Sequence, residues 1–558
     1  MSLIFKPNGS LDVATAATDL PEQGAGATVI SEALARAVNI SNDRTGFVTT
    51  RSGSTTVGSP VNERLTFMTV QAGVRYEFSS TRIYKDEVAI AIDLSTGNEQ
   101  WSALQYNQFN DTDHQIFALN GAERKRINGA DVFEWGIAAP DTKPTVVAGA
   151  STGLTGDYKA KYTYLRVVGT TVVSESNPSD ASDAVTLSND TLKTTWTASS
   201  DPQVTHVRVY RTLADDGNFY IDTDVAIGTT ELDSSTADAD LGTIPPSDHD
   251  RPPAAGDICI GPVYDGYCFI ADGNLLYWCL PKRVEYWPQT YFIEVSPPQE
   301  PIRAMAIHDG QLYVATDRKI YWIQGSLSNT FAATPVSTQG TPNLHCLVGV
   351  RGTGLFHVAP DGLYLLAGGL DRKITEKIFE PLFRNEATAG LAAVPLNSSR
   401  WLFSYENRVY FHYGNGTTLV LNVDQTKWTS YKFDQKLVAP AYDQTNSRFL
   451  TGTGDDQVRQ IEDRTATDDA GSTINWQCQS KDFTLQTRRH FPRWIKYDAE
   501  SESDATGTMI LDDGTHQEHT LSTNRMTKRR LVTTGNGRRV SIRVNGTGAA
   551  TIYAIEAE

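Results

Sequence analysis

Between Val263 and Gly369, short runs of alternating apolar and polar residues are broken by turn residues, and the pattern recurs at a fixed interval. Asp265-Gly266 precedes an apolar run that reaches Ala271 and then Tyr277-Trp278. Asp309-Gly310 precedes another that reaches Ala315 and then Tyr321-Trp322, every offset being 44 residues. A further step of 44 lands on Gly354, Ala359 and Leu365-Leu366, so a third copy keeps the glycine, the small residue and the apolar pair and loses the Asp. Arg400-Trp401-Leu402-Phe403 with Val409-Tyr410, and Tyr442-Asp443 with Phe449-Leu450, fall near the fourth and fifth places. Asp-Gly supplies the positive φ of a tight hairpin turn, and period-two alternation marks strands with one buried face. A repeat of roughly 40 to 50 residues built from strands predicts a β-propeller. One four-stranded blade cannot bury both of its faces, so blades must stack around an axis.

The flanking segments set the expected boundaries. Residues 1–60 predict an extended N-terminal arm with one short helical piece, Ser31-Glu32-Ala33-Leu34-Ala35-Arg36-Ala37-Val38, capped by its serine. Residues 61–141 predict the first part of the propeller, with strands around Arg75–Phe78, Val88–Ile92, His114–Leu119 and Asp131–Gly136, and Asn120-Gly121 as a hairpin turn. After the Pro140–Pro144 linker the character changes. Five strand-like runs in about 100 residues, among them Tyr158–Val168 and His206–Arg211, predict an inserted β-sandwich over 142–250 with Trp196 as a core anchor. Ser174-Glu175-Ser176-Asn177-Pro178-Ser179 with Val207-Arg208-Val209-Tyr210-Arg211 resembles fibronectin type III modules. A second proline-rich linker, Ile244 to Pro253, returns the chain to blades over 251–464. Residues 465–558 are again β, with Asp512-Asp513-Gly514 and Gly535-Asn536-Gly537 as turns, either closing the propeller or forming a small sandwich.

A chain of 558 residues is too long for one ordinary core. No segment approaches the roughly 20 apolar residues of a spanning helix, and the start lacks the charged region and apolar core of a signal peptide, so synthesis in a cytoplasm is expected. Five widely spaced cysteines, Cys259, Cys268, Cys279, Cys346 and Cys478, form no Cys-x-x-Cys pair and read as small buried hydrophobes. The net charge of -17 is unevenly spread. Residues 142–250 hold 7 Lys and Arg against 16 Asp and Glu, whereas 472–558 hold 12 against 10. Strong acidity opposes the cationic phosphate contacts on which affinity for DNA rests.

Enzyme signatures are missing. The sequence has no phosphate loop or His-Glu-x-x-His, and the sialidase box Ser-x-Asp-x-Gly-x-Thr-Trp is absent. Glu285, Asp309, Glu376 and Asp443 are the carboxylates that a glycosidase propeller would use as an acid and nucleophile pair. His516 and His519 stand three apart in a predicted strand and point to opposite faces, and Asp238-Ala239-Asp240 is too sparse for calcium. No catalytic residue, cofactor or metal is therefore expected. Arg488, Arg489, Arg493, Lys528, Arg529, Arg530, Arg538 and Arg539 predict a contact surface for an acidic partner subunit. A receptor-binding protein that holds a cell-surface glycan is the alternative class; it would expose aromatics around Trp278, Trp287 or Trp322, although aromatics at repeated positions tend to pack between blades.

One resemblance joins these features. The stretch Asn39-Ile40-Ser41-Asn42-Asp43-Arg44-Thr45-Gly46-Phe47-Val48-Thr49-Thr50-Arg51-Ser52-Gly53, then Leu276-Tyr277-Trp278 followed by Val284-Glu285-Tyr286-Trp287-Pro288, then Leu312–Thr316 with Ile320–Ile323, resembles the tail nozzle, or tubular, proteins of short-tailed bacteriophages. The resemblance implies a structural virion protein of the tail. It implies a hexameric ring of propellers below the portal and adaptor proteins, neighbouring tail fibres or spikes, and a lumen through which double-stranded DNA passes without specific binding. The fibronectin-like insertion departs from the simplest such proteins. Acidic walls would let DNA slide where cationic ones would drag.

Overall fold

The computed structural model describes the chain outside residues 1, 18, 24–27, 44–45, 98–99, 108–114, 326–329, 396–399, 485–491, 504, 515, 522, 524 and 532–537. His114, Arg488, Arg489 and the Gly535-Asn536-Gly537 turn lie outside the described residues, as do Arg44 and Thr45. Nearly every element is a strand, and the chain is an all-β protein whose described residues build seven propeller blades.

Blades 1 to 6 are each a four-stranded antiparallel sheet, and in blade 7 two short strands, Asp468–Asp469 and Ser472–Thr473, extend the four. Blade 1 runs through Leu65–Gln71, Val74–Ser79, Ile83–Lys85 and Val88–Ala91, and blade 2 through Ser102–Tyr106, Gln115–Leu119, Arg124–Asn128 and Asp131–Glu134. Blade 3 (Ile258–Val263, Tyr267–Asp272, Leu275–Trp278, Phe292–Glu294) and blade 4 (Ile302–His308, Gln311–Thr316, Ile320–Gly325, Phe331–Ser337) carry the first two copies of the repeat. Blade 5 (Leu347–Val350, Gly354–Ala359, Gly362–Ala367, Leu370–Lys373) carries the third, and blade 6 covers Trp401–Tyr405, Arg408–Tyr413, Thr417–Asn422 and Lys427–Lys432. Blade 7 takes three strands from Leu437–Asp443, Arg448–Thr453 and Val458–Asp463. Its fourth, Gly53–Val57, comes from near the N-terminus and pairs antiparallel with Val458–Asp463.

Buried apolar clusters join neighbouring blades all the way round. Phe78 and Ile83 meet Trp101 and Ile116 between blades 1 and 2, and Phe269 and Trp278 meet Leu312 and Phe331 between blades 3 and 4. Trp401 and Tyr410 meet Phe449 and Ile461 between blades 6 and 7, and Leu65 and Met68 meet Val438 and Leu450 where blade 7 returns to blade 1. Neighbouring blades thus bury their facing apolar residues against one another, as a closed ring requires.

The repeated turns have the expected geometry in two copies. Asp265 and Gly266 (φ 65° and 100°) and Asp309 and Gly310 (φ 47° and 72°) are both left-handed, as a tight hairpin between right-twisted strands requires. In the third copy the turn glycine is Gly352 (φ 75°), and Gly354 opens the next strand.

The two chain ends build a second body. Ser2–Phe5 pairs antiparallel with Ala550–Ala557 and parallel with Thr28–Ser31, and Trp494–Ser501 and Thr527–Arg530 extend that sheet. The facing sheet contains Leu34–Val38, Asn475–Ser480, Arg539–Thr547, Ala505–Leu511 and His516–Leu521. The short helix expected at Ser31–Val38 is not formed. Leu34–Val38 is a strand paired with Asn475–Ser480, because Leu34 and Ala37 gain full burial in the sandwich core, which outweighs local helix propensity. This sandwich shares a continuous core with blades 5 and 6, where Leu3, Phe5 and Val544 lie in one cluster with Phe356, Phe411 and Trp428.

Residues between blades 2 and 3 form the inserted β-sandwich. One sheet contains Thr171–Glu175, Ala160–Val168, His206–Thr212 and Phe219–Ala226, and Thr145–Ala148, Leu192–Thr195 and Glu231–Ser234 make another. Tyr162, Tyr164, Trp196, Val207 and Val209 fill its core.

Candidate functional surfaces

The four candidate carboxylates have separate local roles. Glu285 is buried, and its Oε1 accepts from Arg166 Nη2 at 2.5 Å. Asp443 is buried as an Asx turn; its carboxylate accepts from the backbone N–H groups of Thr445 and Asn446 and from Asn446 Nδ2 at 2.7 Å. Asp309 is exposed in its hairpin turn with His308 Nε2 at 3.4 Å, and Glu376 is exposed after the last strand of blade 5. They sit on blades 3, 7, 4 and 5.

The other candidates resolve in the same way. Asp238 accepts from Arg211 Nη1 at 2.7 Å and from the Ala214 N–H at 2.9 Å, so it braces the insert. His516 is exposed and His519 half-buried on opposite faces of one strand. Burial, followed by Arg529, lowers the His519 pKa. Among the described residues no group of three or more His, Cys, Asp or Glu could hold a metal ion. Among the described residues no helix is long and apolar enough to cross a membrane. All five cysteines are buried and free.

What sequence reasoning missed is how the insert is fixed. Arg166 reaches out of the sandwich to Glu285 of the propeller and to Gln203 Oε1 at 3.2 Å. Gln203 Nε2 in turn donates to the carbonyls of Glu134 and Gly136, both at 3.2 Å. The Tyr286 hydroxyl accepts the Glu175 N–H at 2.9 Å, and the His249 ring stacks on Tyr286 at 3.7 Å. Burial lowers the His249 pKa. A buried polar network of this kind is rigid because each member satisfies another and none can leave without stranding a partner. Its hydrogen bonds to the propeller join residues 67 to 119 apart in sequence, where no motif would reveal them.

Beyond this junction the insert presents its acid. Asp157, Asp180, Asp183, Asp215, Asp233 and Asp240 are exposed, whereas Glu175 is buried against Arg208, Tyr210 and Thr163. On the terminal sandwich the pattern reverses. Lys528, Arg529 and Arg530 are exposed on one strand, with Lys528 4.9 Å from the ring centre of the part-exposed Trp494.

The segment that carried the phage resemblance straps the sandwich to the propeller. Asn39 N–H donates to the Ser430 carbonyl at 2.8 Å, Thr429 Oγ1 donates to the Ile40 carbonyl at 2.5 Å, and Arg51 forms a buried ion pair with Asp469.

No family model matches the chain, and no curated protein matches it. Among solved structures, the computationally designed Ika8 protein aligns over 74% of this chain and 99% of its own length at 11% identity, with a TM-score of 0.33. YCF48 bound to D1 peptide aligns over 65% and 94% at 8% identity, and BBS1N in complex with ARL6DN over 66% and 94% at 12% identity, both with a TM-score of 0.27. Likenesses this loose carry no argument, and the propeller rests on the chain's own ladders and shared cores.

Proposed function

We propose that this chain is the subunit of a ring-shaped conduit, the tail nozzle of a short-tailed bacteriophage, through which genomic double-stranded DNA is retained and then ejected. The observation that carries the reading is the acidic inserted sandwich, held by a buried polar network so that its carboxylates keep a fixed position. Each cationic contact to phosphate adds salt-dependent affinity, so a passage for DNA works best when its wall repels the duplex. Carboxylates of the insert would line the lumen. Lys528, Arg529 and Arg530 would meet acidic surface on a neighbouring copy, and the remaining partners would be portal and adaptor proteins and tail fibres or spikes. The chemistry asked of such a protein is mechanical, which agrees with the structural roles of Glu285, Asp443 and Asp238.

Electron microscopy of the purified chain, alone and with tail partners, tests the proposal. The expected particle is a hollow six-fold ring with the insert facing the lumen. A lone subunit under every condition, or a lumen lined mainly by Lys and Arg, would overturn it.

A further inference from the structure

The internal repeat offers a comparison that points to a ligand. In blade 3, Phe269 and Trp278 face each other across a ladder and are buried, 0% and 4% exposed. They are covered by Phe331, which reaches over from blade 4 with its ring centre 5.0 Å from Phe269 and 4.9 Å from Trp278. In blade 4 the equivalent pair, 44 residues on, is Tyr313 and Trp322, again opposed across the ladder. Here, among the described residues, no ring arrives from the next blade. The outer strand of blade 5 is Leu-Asp-Arg-Lys, and its turns present Gly352, Gly368 and Gly369, so the wedge stays open. Tyr313 and Trp322 are only half-buried in it.

The opening has a volume of about 560 Å³, within the range of roughly 300–1,000 Å³ typical of small-molecule sites. Trp322 Nε1 donates to Gln311 Oε1 at 2.9 Å, which fixes the indole and leaves its face for stacking. Exposed Asp309 and part-buried His308, 3.4 Å apart, stand at the same opening.

From this geometry we infer that the wedge between blades 4 and 5 binds a saccharide. The C–H face of a sugar ring stacks on the two aromatic rings, and its hydroxyls donate to the Asp309 carboxylate and pair with His308. An apolar peptide side chain would instead cover these polar groups without satisfying them, which costs binding energy. The carboxylate also selects against acidic sugars. This activity goes beyond the conduit reading and does not rest on it.

The test takes the full chain to an array of neutral and sialylated oligosaccharides and follows bound sugars by tryptophan fluorescence. Neutral oligosaccharides should bind and sialylated ones should not. Val336→Trp, which fills the wedge from the fourth strand of blade 4, should abolish binding. Asp309→Asn should weaken it about tenfold, and asparagine tolerates the left-handed backbone at that position. Melting curves identify any variant that fails to fold, and Asp309→Asn decides the matter if Val336→Trp does. No bound oligosaccharide, or binding that a folded Val336→Trp or Asp309→Asn chain retains in full, would overturn the inference. So would self-association that a folded Val336→Trp chain abolishes in sedimentation, because the wedge would then hold a second copy. Both variants lie away from the insert and the terminal sandwich, so ring formation by microscopy is read separately.

Discussion

Removing the Arg51 side chain should open the propeller at its seam. The guanidinium is fully buried, ion-paired with Asp469, and flanks the strand Gly53–Val57 that completes blade 7. Its Nε donates to Asn39 Oδ1 at 2.8 Å, its Nη groups donate to the carbonyls of Ser52 and Lys432 at 2.9 and 3.1 Å, and it lies 4.3 Å from the centre of the Phe433 ring. Arg51→Ala leaves Asp469 buried with only Ser54 Oγ, at 3.1 Å, as a side-chain donor. Breaking one side of a buried pair costs about 3–5 kcal/mol, and each 1.36 kcal/mol is a tenfold change in an equilibrium. If the cost falls on seam opening, amide hydrogen exchange across Gly53–Val57 and Val458–Asp463 should accelerate by about two to four orders of magnitude, while blades 3 and 4 change little. The double variant Arg51→Met/Asp469→Leu should lose far less than the sum of the single changes, since no orphaned charge remains. Seam exchange within threefold of the parent in Arg51→Ala, or additive losses in the double variant, would refute the reasoning.

Three further outcomes follow from buried charge. In blade 1 one guanidinium, Arg75, serves Glu77, Asp86 and Glu87, and burial raises the Glu77 pKa to about 7 against the partial opposition of Arg75. The folded state then holds a proton that the unfolded chain releases above its own lower pKa. Glu77 therefore costs nothing below about pH 4.5 and an increasing amount as pH rises to about 7, on the order of 3 kcal/mol in total. Glu77→Gln should flatten that slope in urea unfolding midpoints measured between pH 5 and 8. His412, buried with its pKa lowered to about 3, acts at the acid end. Staying neutral while the unfolded chain takes up a proton, it should cost about 1.4 kcal/mol per pH unit below 6.5, and His412→Gln should shift the acid unfolding midpoint downward. At the insert junction, Arg166→Met strands Glu285. Limited proteolysis should then cut the 244–253 linker at least tenfold faster while the blades stay resistant.

The sequence made legible what is local and repeated. Asp265-Gly266 and Asp309-Gly310 announced their turns because two positive φ values in succession can be read from two adjacent residues. Gly354 was misleading for a physical reason. Its φ of +151° also demands glycine, and an added Cβ would lie 2.6 Å from the Leu366 carbonyl oxygen, but that demand comes from a strand entry, while the turn itself passes to Gly352. Residues 31–38 read as helix because propensity counts only neighbours, whereas Leu34 and Ala37 are placed by partners near residue 478. The fourth strand of blade 7 was hidden for the same cause, since Gly53–Val57 meets its partner some 400 residues later. The wedge stood half in view. Trp322 was visible as a repeat aromatic and expected to pack between blades; what the pattern did not convey is its partner Tyr313 across the ladder, or that among the described residues blade 5 brings no ring to the place where blade 4 supplies Phe331.

The sealing strand also sets an order of events. The first 57 residues give strands to both the terminal sandwich and blade 7, whose other strands begin at Leu437 and, in the sandwich, at Asn475. Neither body closes until nearly the whole chain has been made, and long-range pairings of this kind are slow because loop closure precedes their stabilisation. Closing the seam and ordering the sandwich are further joined by Asn39, which accepts from Arg51 at the seam and donates from Nδ2 to the Asn475 carbonyl at 2.7 Å. A perturbation at Arg51 should therefore propagate into the sandwich strand Asn475–Ser480 before it reaches the distant blades. In the proposed ring, this coupling ties the basic strand Thr527–Arg530, offered to a neighbouring copy, to the closing of the seam.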